Sequence, residues 1–310
     1  MKTLRDIYGH LIRYRYEIGF VEGGLDNVME CVLQSTCNDV QAKRVNELNI
    51  KWLKHDFKDR WFADPFILDV SGSEIVVLAE EFCYALGKGR IARLIIDGKT
   101  YQLKNIEIIL EIDTHLSFPA IWRENGRTFI YPESWATGKL DMYEYSDLGC
   151  DIHSARTLCK ESMADAIMTE CFGKRMLFST QREDCLSIYS FNNEIDQFGL
   201  TEKIQFNGST ARNAGDFFCY NNQIFRPAQI SNNHYGEAIE IQQVIYENNA
   251  FRFQPICSFY SPHPKYQWGM HTLNSYKGNV VIDVQGFVNP TFVKSINLIK
   301  RLMGMQKHRG

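Results

Sequence analysis

Polar side chains occupy matching places in five similar segments of the chain, which is the first sign of a functional site. One set stands at or beside the start of a short apolar strand: Asp64, His115 or Ser117, Asp165, Arg212 and His271. A second set ends the strand that follows: Glu80, Glu81, Glu133, Gln229 and Asp283. Around a common axis these groups would line one polar cavity, which suits a neutral, hydroxyl-rich ligand such as a sugar. Two carboxyl groups about 6.5 to 9.5 Å apart could also act as the acid and base of inverting glycoside hydrolysis.

Each segment is a predicted β-hairpin, with an apolar strand, a tight turn and a second apolar strand. The hairpins recur every 47 to 56 residues when they are aligned on Asp64, Phe118, Asp165, Gly215 and His271. The turns follow seven or eight residues later, at Gly72, Gly126, Gly173, Asn222 and Gly278. Glycine and asparagine supply the positive φ that such turns require. A repeat of this period indicates an architecture built from one repeated unit.

Further strands extend the repeat. A third alternating strand follows four hairpins, beginning at Gly89, Gly138, Asp184 and Gly236, and weaker fourth strands begin at Ile106 and Phe251. Four strands repeated five times predict an all-β fold, a five-bladed β-propeller. The fifth hairpin lacks partners, so we expect N-terminal strands within residues 15–24 and 50–57 to complete the last blade and close the ring. The alternative is an open sandwich of stacked hairpins.

The predicted propeller domain covers residues 14–289, and a basic tail covers residues 290–310. In the tail Phe292, Ile296, Ile299 and Met303 recur at helical spacing, which predicts a short C-terminal helix. Its charged side chains are all basic, a pattern that allows peripheral contact with an anionic membrane. The alternative is that the tail docks on the side of the propeller or remains disordered.

Composition limits the kinds of partner and site that the protein could have. The 310 residues carry a net charge of −3, so no overall basic field would hold nucleic acid. The N-terminus lacks the apolar stretch of a secretory signal, which predicts a cytoplasmic protein. The 9 cysteines are an odd, scattered set without a C-x-x-C pair, and no histidines have zinc-ligand spacing. The sequence therefore indicates no disulfide framework, no metal site and no cofactor.

Seven short runs together resemble the domain at the N-terminus of glucosamine inositolphosphorylceramide transferases and its stand-alone bacterial relatives. More distantly, they resemble the five-bladed glycosidases of family 43. The runs are WFADPF (61–66), HLSFP (115–119), YPES (131–134), ARNAG (211–215), RPAQ (226–229), YGEA (235–238) and GMHTLN (269–274). The resemblance implies the propeller fold and a role in glycan, glycolipid or surface-polysaccharide biosynthesis, with a glycosyltransferase as a possible partner. Too few residues follow position 286 for the transferase domain of the plant proteins, so transferase activity is not implied.

The resemblance to family 43 also implies roles for two carboxylates. Its general base is an Asp that opens the first blade, which Asp64 matches, and its supporting Asp opens a middle blade, which Asp165 matches. The general acid of the family is a Glu that opens the next blade, but residues 211–215 contain no Glu. Arg212 cannot act as an acid at neutral pH. A displaced acid, Glu133 or Glu81, is then required for hydrolysis.

Two functional hypotheses remain open, besides a purely structural role. The first is a carbohydrate-active enzyme with the displaced acid. The second is a module that binds a sugar, glycan or nucleotide-sugar, in which Arg212 and Arg226 hold an anionic group. The candidate ligand-binding residues are His115, Ser117, Arg212, Arg226, Gln229, Tyr235, His271 and Asp283. Arg226 and Gln229 could instead connect blades through buried hydrogen bonds, and Trp61, Trp135 and Trp268 could stack on a sugar ring.

Overall fold

The computed structural model describes residues 11–35, 43–45, 48–146, 151–293 and 295. Its strands form five sheets, four with 4 strands and one with 5. Each sheet is a blade, and the blades surround a central axis, so the prediction of an all-β, five-bladed propeller is confirmed. No described helix is long and apolar enough to cross a membrane.

The first three blades follow the chain without interruption. Their strands are β4 to β7 (Arg60–Ser71, Glu74–Cys83, Lys88–Asp97, Leu103–Leu110), β8 to β11 (Ser117–Glu124, Arg127–Glu133, Leu140–Ser146, Asp151–Cys159) and β12 to β15 (Ala164–Cys171, Lys174–Arg182, Cys185–Asn192, Gln197–Gln205). All neighbouring strands within these blades are antiparallel. A short 3₁₀ helix, Trp135–Thr137, follows β9.

The last two blades recruit the N-terminal part of the chain. Their strands are β16 to β19 (Phe218–Tyr220, Gln223–Ile230, Ala238–Glu247, Ala250–Phe259), β20 and β21 (Leu273–Tyr276, Asn279–Phe287) and β1 to β3 (Tyr14–Val21, Lys43–Val45, Ile50–Trp52). The fifth blade has the order β20-β21-β1-β3, so N-terminal strands close the ring as predicted. The sequence analysis missed β2, which adds to β19 of the fourth blade as a parallel edge strand.

The turns that define the repeat adopt the expected backbone conformation. Gly72, Gly126, Gly173, Asn222 and Gly278 all have positive φ, between 58 and 77°. A Cβ atom added at any of the four glycines in this set would meet no atom within 4 Å. The positive φ of the backbone, and not lack of space, therefore favours glycine at these positions. The hairpins therefore form where the spacing of the turn residues placed them.

Apolar side chains pack between neighbouring blades in four clusters of the described residues. One helix of 12 residues, α1 (Gly24–Ser35), covers the junction of the fourth and fifth blades. Its buried side chains Val28, Met29 and Val32 lie on one helical face. A short helix begins at residue 290, as predicted, but most of the basic tail lies outside the described residues.

Candidate functional site

The first strands of three blades share an unusual backbone conformation at the axis. Asp64, Phe118 and Asp165 have φ of 51, 46 and 46°, in the left-handed region that non-glycine residues rarely adopt. Each lies at a register shift between the first two strands of its blade. The conformation turns the backbone N–H of each residue away from its own sheet.

Each of these N–H groups donates to a carboxylate of the preceding blade. Asp64 N donates to Asp283 Oδ2 at 2.9 Å, and Phe118 N donates to Asp64 Oδ2 at 3.0 Å. Asp165 N donates to Glu133 Oε2 at 2.9 Å. The strained backbone thus orders a set of carboxyl groups around the axis, as expected for backbone strain at a functional site.

A cavity of about 290 Å³, here called the acidic cavity, opens at this end of the axis. It is lined by Tyr16, Trp61, Asp64, Glu80, Phe82, His115, Ser117, Glu133, Asp165, Arg212, Tyr235 and His271. The structure therefore brings together most of the side chains that the sequence analysis selected. Two lining residues, Tyr16 and Phe82, were missed. Strand alternation could have found Phe82, because it lies two residues after Glu80 on the same face of β5.

His271 connects two carboxylates on one side of the acidic cavity. Its Nδ1 lies 2.7 Å from Asp283 Oδ1, and its Nε2 lies 3.4 Å from Asp64 Oδ1. Burial alone would lower the pKa of His271, but Asp283 and Asp64 raise it to about 9. The ring is therefore an imidazolium at neutral pH. Burial raises the pKa of Asp64 to about 7, although His271 opposes the shift.

Glu80 lies beside Asp64 and completes this side. Burial and the Asp64 charge raise the pKa of Glu80 well above its usual value. Glu80 Oε1 has no hydrogen-bond partner, and His115 Nε2 is 3.4 Å away. The other ring nitrogen of His115 accepts a hydrogen bond from Gly89 N at 2.9 Å, which fixes the ring.

The opposite side of the cavity contains the arginine. Arg212 Nε donates to Asp165 Oδ2 at 2.7 Å, and Gln229 Nε2 donates to the same oxygen at 2.8 Å. The Arg212 guanidinium also lies 5.0 Å from the centre of the Tyr235 ring and 3.9 Å from Glu133 Oε2. Burial and the Asp165 charge raise the pKa of Glu133 to about 8 despite Arg212. Arg212 therefore neutralises Asp165 through its Nε donor.

Four side chains of the predicted set do not line the acidic cavity. Asp283 and Gln229 lie behind it and bind the residues that do. Glu81 is fully buried on the other face of β5, where Arg60 and Arg90 each approach within 2.9 Å. Strand alternation therefore leaves Glu80, and not Glu81, facing the acidic cavity. Glu81 is thus in no position to act as a displaced general acid.

Arg226 corrects the expectation that it holds an anionic ligand group. Its fully buried guanidinium donates to Asn213 Oδ1 at 2.8 Å, to Gln242 Oε1 at 2.7 Å and to the Ala211 carbonyl. These bonds use its donors inside the fourth blade, away from the acidic cavity. Arg226 thus has the structural role that the sequence analysis left open.

The missing acid of the fourth blade has a steric explanation. Gly215 occupies the place that corresponds to Asp64 and Asp165, with φ of 150°. A Cβ atom there would lie 2.1 Å from the Leu273 carbonyl oxygen. No side chain fits at this position. The next residue, Asp216, does not line the acidic cavity, and burial raises its pKa to about 7.

Asp64, His271 and Asp283 are described residues whose ligand atoms lie within 4.8 Å of one another, a spacing that could hold a metal ion. Both Asp283 oxygens already accept hydrogen bonds, Oδ1 from the Thr272 and His271 N–H groups and Oδ2 from Asp64 N. A metal ion at this position would therefore compete with the proton between His271 and Asp283, because metal binding requires a neutral imidazole.

A second space, here called the outer cavity, adjoins the first and measures about 860 Å³. It is lined by Tyr14, Tyr16, Trp61, Glu183, Ser231, Asn233, His234, Tyr235, Trp268 and Gln285. Tyr16, Trp61 and Tyr235 line both spaces. Of the three tryptophans that could stack on a sugar, Trp61 lines both cavities and Trp268 lines the outer cavity, whereas Trp135 lines neither.

Comparison with known proteins identifies relatives of the chain. A family described as glucosamine inositolphosphorylceramide transferase 1, N-terminal, matches residues 49–256. The protein named glucosamine inositolphosphorylceramide transferase 1 from Arabidopsis thaliana is 25% identical over 197 residues, which cover 59% of this chain and 25% of the relative. The protein of that name from Oryza sativa subsp. japonica is 21% identical over 201 residues, covering 61% and 27%. The chain thus spans about a quarter of the length of these relatives.

Among solved structures, the RS223 β-xylosidase superposes with a TM-score of 0.51 at 9% sequence identity. The match covers 73% of this chain and 92% of that protein. At this identity the likeness concerns the fold alone, and it agrees with the five-bladed architecture described above.

Proposed function

This chain belongs to the family of N-terminal domains of glucosamine inositolphosphorylceramide transferase 1, and on that premise we propose that it binds a sugar in the acidic cavity. One observation carries the proposal. The carboxyl groups of Asp64, Glu80, Glu133 and Asp165 converge on one small cavity that also has aromatic walls. Convergent polar groups beside aromatic faces match the alternating hydroxyl groups and apolar faces of a sugar ring.

The charges favour an uncharged sugar over a sugar phosphate. Arg212 is paired with Asp165, and His271 is held between two carboxylates. Both cations of the acidic cavity thus lie among carboxyl groups, which would repel a phosphate. Glu133, whose pKa is raised by burial to about 8, can donate to a hydroxyl oxygen, and ionised carboxylates can accept from hydroxyl protons. A nucleotide-sugar is accordingly less well matched than a neutral sugar.

The pathway, partner and location form a broader proposal. The relatives carry the name of a transferase, and the family concerns glycans. We propose that this propeller acts in the cytoplasm in glycan or glycolipid biosynthesis, where it presents a sugar to a glycosyltransferase. Fold likeness alone does not determine function, so the sugar site is the part to test first.

The test is calorimetric titration of the protein with neutral monosaccharides, including glucose, galactose, xylose, mannose and N-acetylglucosamine. We expect at least one to bind, and Asp64→Asn to weaken its binding by at least about tenfold, or about 1.4 kcal/mol. Asp69→Asn is the matched control, because Asp69 lies at the other end of the same strand and pairs with Lys277 at the surface. Failure of every sugar to bind at millimolar concentration would refute the proposal.

Glycoside hydrolysis is a second candidate function, favoured by the raised pKa of Glu133 in the cavity that contains Asp64. In this mechanism Glu133 would give its proton to the leaving oxygen as the glycosidic bond breaks. Ionised Asp64 would take a proton from the water that attacks the sugar carbon from the opposite face. Reducing-end assays on oligosaccharides should then show turnover, which Asp64→Asn and Glu133→Gln abolish and the surface variant Glu111→Gln retains. Binding without turnover would leave the first function and exclude this one.

A further inference from the structure

The outer cavity continues directly from the acidic cavity. Tyr16, Trp61 and Tyr235 form the wall that the two spaces share. The acidic cavity, at about 290 Å³, is at the small end of the range for ligand sites, whereas the outer cavity is about 860 Å³. A ligand group in the inner space can therefore be joined to a second group in the outer space without leaving the aromatic wall.

The lining of the outer cavity indicates the chemistry of that second group. The described side chains that line it are aromatic or polar, and none is aliphatic. An acyl chain would therefore find few of the aliphatic contacts that favour its burial. The charged side chain in this lining is Glu183, so a phosphate would meet repulsion and no cation. Aromatic faces beside amide groups instead suit a neutral, hydroxylated ring.

Hydrogen bonds hold this lining in place before any ligand arrives. Tyr16 Oη donates to Gln285 Oε1 at 3.0 Å, and Gln285 Nε2 donates to the Tyr235 carbonyl at 2.8 Å. His234 Nε2 lies 2.6 Å from the Trp268 carbonyl oxygen, and the two rings are 4.4 Å apart. A fixed wall loses little conformational entropy on binding, which favours recognition.

Strand β1 points two tyrosines toward this space. Tyr14 and Tyr16 are two residues apart, so their side chains lie on one face of the strand. Tyr14 is 42% exposed, and its ring packs 4.3 Å from that of Phe287. Trp268 also packs against Phe287, with the two ring centroids 5.2 Å apart. Aromatic rings thus extend outward from Trp61 to the rim.

We propose that the outer cavity binds a second, uncharged sugar residue, glycosidically linked to the sugar in the acidic cavity. The chain then recognises the end of a glycan and not a free monosaccharide. This inference rests on the proposed function, because it requires a sugar in the inner position.

The experiment compares ligands of increasing length on the full chain. Calorimetric titrations use glucose, cellobiose and cellotriose, galactose and β-1,4-galactobiose, and N-acetylglucosamine, chitobiose and chitotriose. In the series that binds, we expect the disaccharide to bind about tenfold more tightly than the monosaccharide, with little further gain for the trisaccharide. Tyr14→Ala and Trp268→Ala should remove most of this gain and change monosaccharide affinity less than about twofold.

The control variant is Phe172→Ala, because Phe172 is 42% exposed, lies in the turn after β12 and lines neither cavity. Equal affinity for monosaccharide and disaccharide would overturn the inference while leaving the proposed function intact. Loss of all sugar binding in the wild-type protein would instead refute the proposed function. A dodecyl glycoside that binds more tightly than the disaccharide, in a manner dependent on Tyr14, would overturn the inference in favour of a lipid chain.

Discussion

Asp64 and Asp165 occupy the same place in two different blades, yet their surroundings differ. Both have left-handed backbone conformation, both are buried, and both line the acidic cavity. Asp64 lies among Glu80, Asp283 and His271, whereas Asp165 accepts hydrogen bonds from Arg212 and Gln229. One repeated backbone position thus supplies two carboxyl groups with different electrostatic environments.

The difference teaches how one repeated scaffold can divide chemical roles. The carboxylate of Asp165 is fixed by an arginine, so its charge is part of the structure. Asp64 has a pKa raised to about 7 by burial, so its charge can change near neutral pH. Buried carboxyl groups with a raised pKa, such as Asp64, are typical of sites that perform acid–base chemistry. Sugar binding and hydrolysis would both exploit this division.

The largest expected effect at pH 7 comes from removing the fixed charge. Asp165→Asn leaves Arg212, whose side chain is 20% exposed, beside a neutral amide, and loss of one partner from such a largely buried ion pair costs about 3 kcal/mol. Asp64→Asn should cost only about 1 kcal/mol, because an amide oxygen can still accept the Phe118 N–H. Urea denaturation at pH 7 measures both values.

The surface pair of Arg156 and Asp196, at 2.9 Å, provides the control for this comparison. Asp196→Asn removes the same kind of contact where both partners are solvated, and it should change stability by less than about 0.5 kcal/mol. Equal destabilisation by Asp165→Asn and Asp64→Asn would show that the two positions are equivalent after all.

The next expected effect is a dependence of the free energy of unfolding on pH. It arises from buried groups whose pKa differs between the folded and unfolded states. Burial raises the pKa of Glu133 from 4.5 to about 8, so between these values the folded protein binds more protons than the unfolded chain. The free energy of unfolding therefore falls as pH rises through this window. Asp64, raised from 3.8 to about 7, and His271, raised from 6.5 to about 9, act with the same sign.

Glu133→Gln should remove part of this dependence: between pH 4.5 and pH 8 the wild type should lose about 4 kcal/mol of unfolding free energy that the variant retains. Urea denaturation at a series of pH values gives the comparison. The control is Glu144→Gln, because Glu144 is a solvated carboxylate that pairs with Arg127 at the surface. Parallel pH profiles for Glu133→Gln and wild type would contradict the assignment.

The fold was predictable because its signals are local and repeated. Turn residues such as Gly126 and Gly173 indicate each hairpin, because its turn requires a residue that can adopt positive φ. The closure of the ring by β1 was predictable because the fifth hairpin has too few strands after it to complete a blade. The short parallel strand β2 was missed, because three residues carry too little periodicity to be recognised.

The site was predictable only to the level of which side chains approach the axis. Asp64, Asp165 and His271 follow from the repeat, since equivalent positions converge in a propeller. The pairing of Arg212 with Asp165 depends on a contact between different blades, and the burial of Arg226 depends on its bonds to Asn213 and Gln242 within the fourth blade. Such contacts have no signature in a single sequence, which is why the sequence left open whether Arg226 holds an anionic group or forms buried hydrogen bonds.

The smallest effect tests whether Asp165 needs both of its side-chain donors. Gln229 Nε2 donates to Asp165 Oδ2 and to the Asn213 carbonyl, and both acceptors are buried. Gln229→Leu should therefore cost about 1 to 2 kcal/mol in urea denaturation, less than loss of the Arg212 pair, because the charge stays neutralised. Gln102→Leu, which removes a surface bond to the Lys54 carbonyl, should change stability by less than about 0.5 kcal/mol. If Gln229→Leu matched Asp165→Asn in its cost, the hydrogen-bond network, and not the arginine charge, would distinguish Asp165 from Asp64.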